Sequence, residues 1–301
     1  MRSPHRMHER STFYKYMSLN TAKIVLESCS LRWSSPVRFN DPFDVPREVM
    51  PGIDEINIGK ALARKLIAEL INPREDVQNL NPRIRTMLEV YQKLFPFSIP
   101  PGLIEKFQEL VDAPPVGLGA PAAIQEMKDV WKGMLNDRRI LCLSESPIIT
   151  PMWNHYADEY KGIVIEFDCI DILDSAWLIA KPMKYTDDIP LTYTAEGMAE
   201  LLFMPDNKSI EYINTEITFI KTEEWAYEKE WRISNYAKPN TSGQYSDFKF
   251  HPFELKSVIL GPLFDTSEFD KVASLVKRYP RAQLFKSSFG DDRKISIGPL
   301  V

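Results

Sequence analysis

Cysteine is scarce. Cys29, Cys142 and Cys169 are the three in 301 residues; they are widely spaced and form no CxxC pair. This excludes a disulfide framework or zinc ribbon and fits a reducing compartment. Cys142 and Cys169 stand in apolar runs and read as small buried hydrophobes. No stretch approaches the roughly twenty apolar residues of a membrane span. The opening "MRSPHRMHER" has no apolar run behind it, so it does not read as a secretory signal. Residues 1–12 are instead expected to be a disordered leader, on which His5 and His8 would make only a weak metal site. The expected location is the cytoplasm.

Long blocks of one charge are also missing. The net charge is -5, whereas a chain gripping duplex phosphates usually carries a basic stripe. The nearest approach, Lys128, Lys132, Arg138 and Arg139, is diluted by Asp129 and Asp137 and reads as a solvated helix face, so no strong nucleic-acid signal exists. Neither GxGxxG nor GxxxxGK[ST] occurs, and the Rossmann and P-loop readings lack their phosphate cradle.

What is present suits a globular chain: 44% hydrophobic and 11% aromatic residues, enough for a sizeable core. "TFYKYMS" alternates as a short strand, and "LNTAKIVLES" reads as a helix capped by Asn20 with Ile24, Val25 and Leu26 inward. "SLRWSS" is a second strand ending at Pro36. From about 53 to 136 helical periodicity takes over, with Ile58, Leu62, Leu66, Ile67, Leu70 and Ile71 on one side of the first piece. Pro73, Pro82, Pro96, Pro100 and Pro101 punctuate the pieces, and "PPVGLGAPA" at 114–122 reads as a linker. Strands return with "RRILCLSES" and "GIVIEFD", then an edge strand "AKPMKYT". A helical stretch at 194–221 precedes the strands "EWRISNYAK", "SDFKFHP" and "KSVILGP". Near the end, Asp265 with Glu268 suggests a capping box before a helix, and two short strands follow Pro280. Strands grouped between helices, without regular βαβ alternation, predict an α+β fold. The expected arrangement is a mostly antiparallel mixed sheet with flanking helices, forming one domain over 13–301 with an all-helical insertion at about 53–136.

The densest gathering of chemistry is "WAYEKEWR", Trp225 to Arg232. Taken as the run-in to a strand, it puts Trp225, Tyr227, Lys229 and Trp231 on one face and Glu228, Glu230 and Arg232 on the other. Two carboxylates this close raise each other's pKa unless a cation intervenes. Arg232 can engage one bidentately, leaving the other as a base or an acceptor for a substrate hydroxyl. The competing reading is a surface ladder of ion pairs worth about 0–1 kcal/mol. A helix would instead make Glu228 and Arg232 an i,i+4 pair. A second constellation, "TPMWNHYADEYKG", holds Trp153, His155 and Tyr156, with His155 either a general acid–base or the anchor of a turn. A third, "RFNDPFD", offers Asn40, Asp41 and Asp44 for a metal or ribose hydroxyls, or simply for turn stabilisation. Ser144 ends an apolar strand with no base placed beside it.

The order "YKYMSLNTAKIVLESCSLRWSSPVRFNDPFD", "ILCLSES", "MWNHYADEYKGIVIEFD", "KYT", "EWAYEKEWRI" resembles a bacterial family catalogued as domain of unknown function 2971. That resemblance implies roles suspected in phage defence or toxin-like action. The layout is also distantly similar to ADP-ribosyltransferase-type folds. By that likeness Tyr14, Lys15 or Tyr16 would take the first-strand role, Ser144 or Tyr156 the second, and Glu230 or Glu228 would orient the nicotinamide ribose. Lys15 stands where such folds carry histidine or arginine.

Three readings result. The first is an ADP-ribosyl-transferring or NAD-cleaving enzyme with Glu230, Glu228, Tyr156 and His155 catalytic, needing a cleft lined by Tyr16, Tyr156 and Glu230. In it Tyr14, Lys15, Tyr16, Asn40, Asp41, Ser144, Trp153 and Arg232 bind substrate, NAD is the candidate substrate, and no metal is assigned. The second is a non-catalytic module sensing a nucleotide or phage product. The third is a metal-dependent phosphodiesterase using Asp41, Asp44, Glu228 and Glu230. The expected partner is a small nucleotide, no membrane is expected, and the sequence leaves any protein partner open.

Overall fold

The computed structural model describes residues 2–47, 54–72, 79–95, 100–112, 120–239 and 243–300. The chain forms two compact units: Met1–Asp41, Asn136–Thr186 and Phe219–Val301 in one, Pro42–Leu135 and Asp187–Thr218 in the other. The helical block expected at 53–136 therefore gains a second contribution, 187–218, and is a unit in its own right.

The first unit is built on a ten-stranded, mostly antiparallel sheet in an α+β fold. In chain order it comprises β1 (Thr12–Met17), α1 (Leu19–Ser28), β2 (Ser30–Ser34), β3 (Arg138–Ser144), α6 (Thr150–Tyr156) and β4 (Ile163–Asp168). β5 (Lys181–Pro182), β6 (Lys184–Tyr185), β7 (Ile220–Lys221), β8 (Glu230–Tyr236), β9 (Tyr245–Lys249), β10 (Leu255–Leu260), α9 (Phe269–Val276), β11 (Gln283–Phe289) and β12 (Ile295–Pro299) follow. The order runs β12-β11-β10-β4-β1-β3-β2-β9, with β8 paired to β3 and β5 to β8. Among the described residues only β10–β11 is parallel within it, and β6–β7 forms a separate parallel pair. The second unit holds α2 (Glu55–Ile71), α3 (Pro82–Leu94), α4 (Pro101–Asp112) and most of α5 (Ala120–Asp137), then α7 (Ala195–Phe203) and α8 (Asp206–Glu211). Leu80, Leu88 and Phe203 centre its core, with Leu62, Leu66 and Leu70 packed on them.

Each sheet face has its own cover. Phe13, Met17, Leu141, Ile165, Ile233 and Val258 point to one side, where α1 and α9 supply Val25, Leu26, Val272 and Val276. Tyr16, Val164 and Ile259 point to the other, covered by Met152 and Trp153 of α6. Alternation along each strand thus makes one layer apolar and leaves the opposite face part apolar, part polar.

Several local expectations are corrected. Ser18, not Asn20, caps α1, accepting from the Thr21 N–H at 3.3 Å. Its register turns Ile24 outward, 61% exposed, while Ala22, Val25 and Leu26 face in. Ile71 of α2 likewise faces out. Asp265 caps a short 3-10 turn rather than α9 itself, and Glu268 pairs with Lys23 at 2.6 Å instead of reaching back to the cap. "AKPMKYT" splits into β5 and β6, with Met183 buried between them. Pro73, Pro96 and most of the expected linker 114–122 lie outside the described residues.

Residues 2–11, expected as a frayed leader, are pinned. The Arg6 guanidinium meets Asp171 at 2.7 Å, and the Met7 N–H donates to the Leu178 carbonyl. Buried His8 places Nε2 at 2.8 Å from the Trp177 carbonyl oxygen, and Arg10 forks onto the Glu145 carboxylate and carbonyl. Composition alone hid this because the segment is tied mainly by charge and backbone bonds, with His8 and Arg10 packed on the rings of Phe13 and Trp231.

After α6 the chain reverses through three successive left-handed residues, Asp158, Glu159 and Tyr160, with φ of 50, 49 and 70°. Such residues each cost about 1–2 kcal/mol outside glycine. The turn closes on Gly162, whose N–H donates to the Ala157 carbonyl at 2.7 Å. A Cβ on Gly162 would stand 2.3 Å from the Met17 carbonyl oxygen and 2.7 Å from that of Ala157. Both are backbone atoms with no room to yield. Gly162→Ala is therefore expected to cost about 2 kcal/mol or more in urea unfolding, whereas Gly59→Ala, with open space around it, should be neutral or stabilising.

Candidate functional site

β7 and β8 are joined by a tight 3-10 turn, Glu223–Glu228, and a left-handed Lys229 with φ 47°. The first half of "WAYEKEWR" is thus a turn and not the strand run-in expected. The turn nevertheless brings Glu228 to the side of Glu230 and Arg232, and folds Lys221 back onto both acids. Lys221 Nζ lies 2.6 Å from Glu228 Oε2 and 3.2 Å from Glu230 Oε2. Glu230 and Arg232 share a face of β8, and the guanidinium donates to both oxygens of Glu230, Nε at 2.7 Å and Nη2 at 3.1 Å. Exposures are 5% for Lys221, 2% for Glu228, 4% for Glu230 and 1% for Arg232, which excludes a surface ladder.

Around this charge-balanced core stand polar and aromatic neighbours. The Tyr156 hydroxyl donates to Glu228 Oε1 at 2.6 Å, and Asn40 beside it opposes the rise in its pKa. Ser144 Oγ donates to the Glu228 carbonyl at 2.7 Å, fixing the end of the turn to β3. The Tyr185 hydroxyl accepts the Glu230 N–H at 2.7 Å. The Trp225 ring lies 4.5 Å from Lys221 Nζ, and the Phe39 ring 5.1 Å from the Arg232 guanidinium. Each cation therefore has a carboxylate on one side and an aromatic face on another.

The two acids are pushed apart electrostatically. Burial raises Glu228 above the usual carboxylate range; Lys221 opposes this and the Glu230 charge adds to it. Burial works on Glu230 in the same direction, but Arg232 and Lys221 beside it outweigh the penalty and hold it down at about 2. Burial and the Glu228 charge push the Tyr156 hydroxyl far up, so it remains a donor. Burial also keeps the Cys142 thiol, beside Glu230, protonated. The result is one firmly ionised acid and one neighbouring acid poised for proton exchange.

Of the residues anticipated from sequence, Glu228, Glu230, Arg232, Tyr156, Ser144 and Asn40 converge here. His155 is exposed at the edge, its Nδ1 3.4 Å from the Tyr227 hydroxyl, and Asp41 adjoins Asn40 along the chain, half-buried. The first-strand residues do not join the cluster. Tyr14 donates to Glu166 at 3.1 Å, within a separate group with Lys256 and Ser257. Lys15 Nζ is committed to the Cys142 carbonyl at 2.7 Å. Tyr16 is buried, donating to the Ser146 carbonyl and accepting from the Ile149 N–H, so the cleft of Tyr16, Tyr156 and Glu230 is not formed. Trp153 is fully buried against Tyr16, with Nε1 donating to the Pro147 carbonyl, and is a core residue rather than a substrate contact. Among the described residues no group of three or more His, Cys, Asp or Glu could hold a metal ion. Lys221 and Arg232 occupy the positions that a cation would take beside these acids.

Sequence reasoning missed Lys221 and Tyr185. Lys221 is seven residues before Glu228, a spacing that no strand or helix period makes adjacent; only the 3-10 turn does. Tyr185 had a signal in "KYT", but its role depends on the short β6–β7 pairing.

Residues 152–233 match the sequence model of a family described as "Protein of unknown function (DUF2971)", which supports the family resemblance. Tyr156, Lys221, Glu228, Glu230 and Arg232 all lie within the matched stretch. No curated protein matches the chain, and no solved structure does. No described helix is long and apolar enough to cross a membrane.

Removing one partner from a buried ion group strands the other, so Lys221→Ala should cost about 3–5 kcal/mol. Lys229→Ala, on an exposed residue 3.9 Å from Glu145, should cost under about 1 kcal/mol. Because Glu230 is depressed on folding, its contribution is complete above its ordinary value of 4.5 and is lost as pH falls toward about 2. The Glu228 contribution has the opposite sign: it grows as pH falls through its raised pKa. Urea midpoints should therefore drop between pH 4.5 and 2, with a shallower drop over that window in Glu230→Gln.

Proposed function

We propose that this cluster is the base of a site for a small nucleotide-type ligand, with NAD as the candidate substrate and Glu228 as the acid–base residue. The observation that carries the reading is the buried Glu228 carboxylate, raised by its surroundings and bonded to Tyr156 and Lys221. Glu230, forked by Arg232, positions this acid through Lys221 and does not itself meet substrate. Of the two acids offered for the orienting role, Glu228 takes it in this reading.

In NAD cleavage the bond between ribose C1′ and nicotinamide nitrogen breaks, its electron pair leaves with nicotinamide, and water or an acceptor hydroxyl supplies the new bond and releases a proton. A carboxylate at the position of Glu228 would stabilise the developing oxocarbenium charge or take that proton. Trp225, Tyr227 and Tyr156, with His155 beside them, offer rings on which a base or nicotinamide could stack. Such an activity would suit a defence or toxin-like role.

A second reading keeps the site and drops the turnover. All four carboxylate oxygens of Glu228 and Glu230 already have donors, an arrangement suited to holding a recognition surface rigid. Incubation of the protein with NAD, other nucleotides and RNA, followed by mass spectrometry, separates the two. The catalytic reading expects nicotinamide release or ADP-ribosyl transfer, reduced at least about 100-fold in Glu228→Gln and less in Tyr156→Phe. Intact NAD with saturable binding by calorimetry favours sensing. Neither product nor binding contradicts both.

A further inference from the structure

On the sheet face opposite the charge cluster lies a small cavity of about 40 Å³. Leu141 and Ile233 form its floor, alternating along β3 and β8 with Cys142 and Arg232 of the other face. Trp33, Trp177, Phe248 and Phe250 also line it, as do Ser175, Glu254 and Lys249, the last an exposed residue of β9.

Two buried polar atoms among the lining residues lack a partner, Glu254 Oε1 and Ser175 Oγ. Their local roles leave them unspent. Glu254 is 1% exposed and closes a capping box, accepting the His251 N–H at 2.7 Å through Oε2 alone. Ser175 stands at the start of a 3-10 turn, Ala176–Ile179, yet its side chain makes no cap bond. Burying polar atoms without partners is unfavourable, so two around one cavity amount to an unmet demand for a hydrogen-bonding ligand. Both atoms can accept, the Ser175 hydroxyl can also donate, and the other oxygen belongs to a carboxylate. Four aromatic side chains line the same cavity. A carboxylate oxygen within an aromatic wall favours a small cation that also carries N–H donors. A water needs at least about 10–15 Å³ of comparable space, so the cavity has room for about three or four non-hydrogen atoms, enough for methylammonium.

We propose that this cavity is a binding site for a small primary alkylammonium cation, held by Glu254 Oε1 and Ser175 Oγ within Trp33, Trp177, Phe248 and Phe250. It is independent of the nucleotide reading, since it shares no residue with the charge cluster.

The probe is methylammonium chloride, titrated into the full chain while the Trp33 and Trp177 indole signals are followed by NMR, against sodium chloride at equal ionic strength and against methanol as a neutral analogue. The expected result is a saturable shift of both indoles with methylammonium alone. Glu254→Gln keeps an oxygen for the His251 cap and should weaken binding at least tenfold. Ser175→Ala leaves the carboxylate in place and should weaken it about threefold, which decides the matter if the glutamine variant does not fold. No saturable shift, or equal affinity in a folded variant, overturns the proposal. So does a crystal structure grown with methylammonium that shows only a water, or the Lys249 ammonium, on Glu254 Oε1.

Discussion

The arrangement depends on placing two carboxylates and two cations together out of water. Glu228 and Glu230 lie side by side at the start of β8, and neither could remain there charged without Lys221 and Arg232. The desolvation of four charged groups is expensive, and good geometry only offsets it. Stability alone is a weak reason to build such a group, because apolar residues of similar volume would often serve as well. What the group provides is a fixed difference between neighbouring acids: one kept ionised by its arginine fork, the other displaced upward by burial and by the first. That difference is the property a proton-handling or ligand-reading site needs.

The surrounding structure can be understood as support for this contrast. Ser144 ties the turn to β3, Tyr185 ties β8 to the short β6–β7 pair, and Tyr156 arrives on the last residue of α6. The strained reversal at 158–160 follows directly after that residue, and Gly162 closes it against the backbone of β1. Trp153 and Tyr16, buried one against the other, hold α6 on the sheet. They act as packing while Tyr156 carries the polar contact. Small residues at backbone crossings and large aromatics under the helix thus set the position of a single hydroxyl.

Much of this was legible in the sequence, and the limits have physical causes. The strands announced themselves by period-two alternation, and Glu228, Glu230 and Arg232 were recognisable as a charged group flanked by tryptophans. Their shared side survived even though the local structure was misread, because the 3-10 turn and the left-handed Lys229 return Glu228 to the face that a strand would have given it. Lys221 was illegible because its proximity arises from that turn. Tyr14, Lys15 and Tyr16 were overread: a polar strand suggests a site, but cross-strand bonds to Glu166, Cys142 and Ser146 consume it. The leader was underread because its anchors, Asp171 and Trp177, are about 170 residues away along the chain.

The claim most exposed to test is that the two acids differ and that the difference serves a ligand. Carbon-detected NMR titration of the Glu228 and Glu230 carboxyls, with and without NAD, measures both parts. The account predicts Glu230 ionised until the pH nears about 2, Glu228 titrating above 4.5, and the Glu228 curve moving when NAD is added. Two acids titrating together at ordinary values, indifferent to NAD, would contradict it.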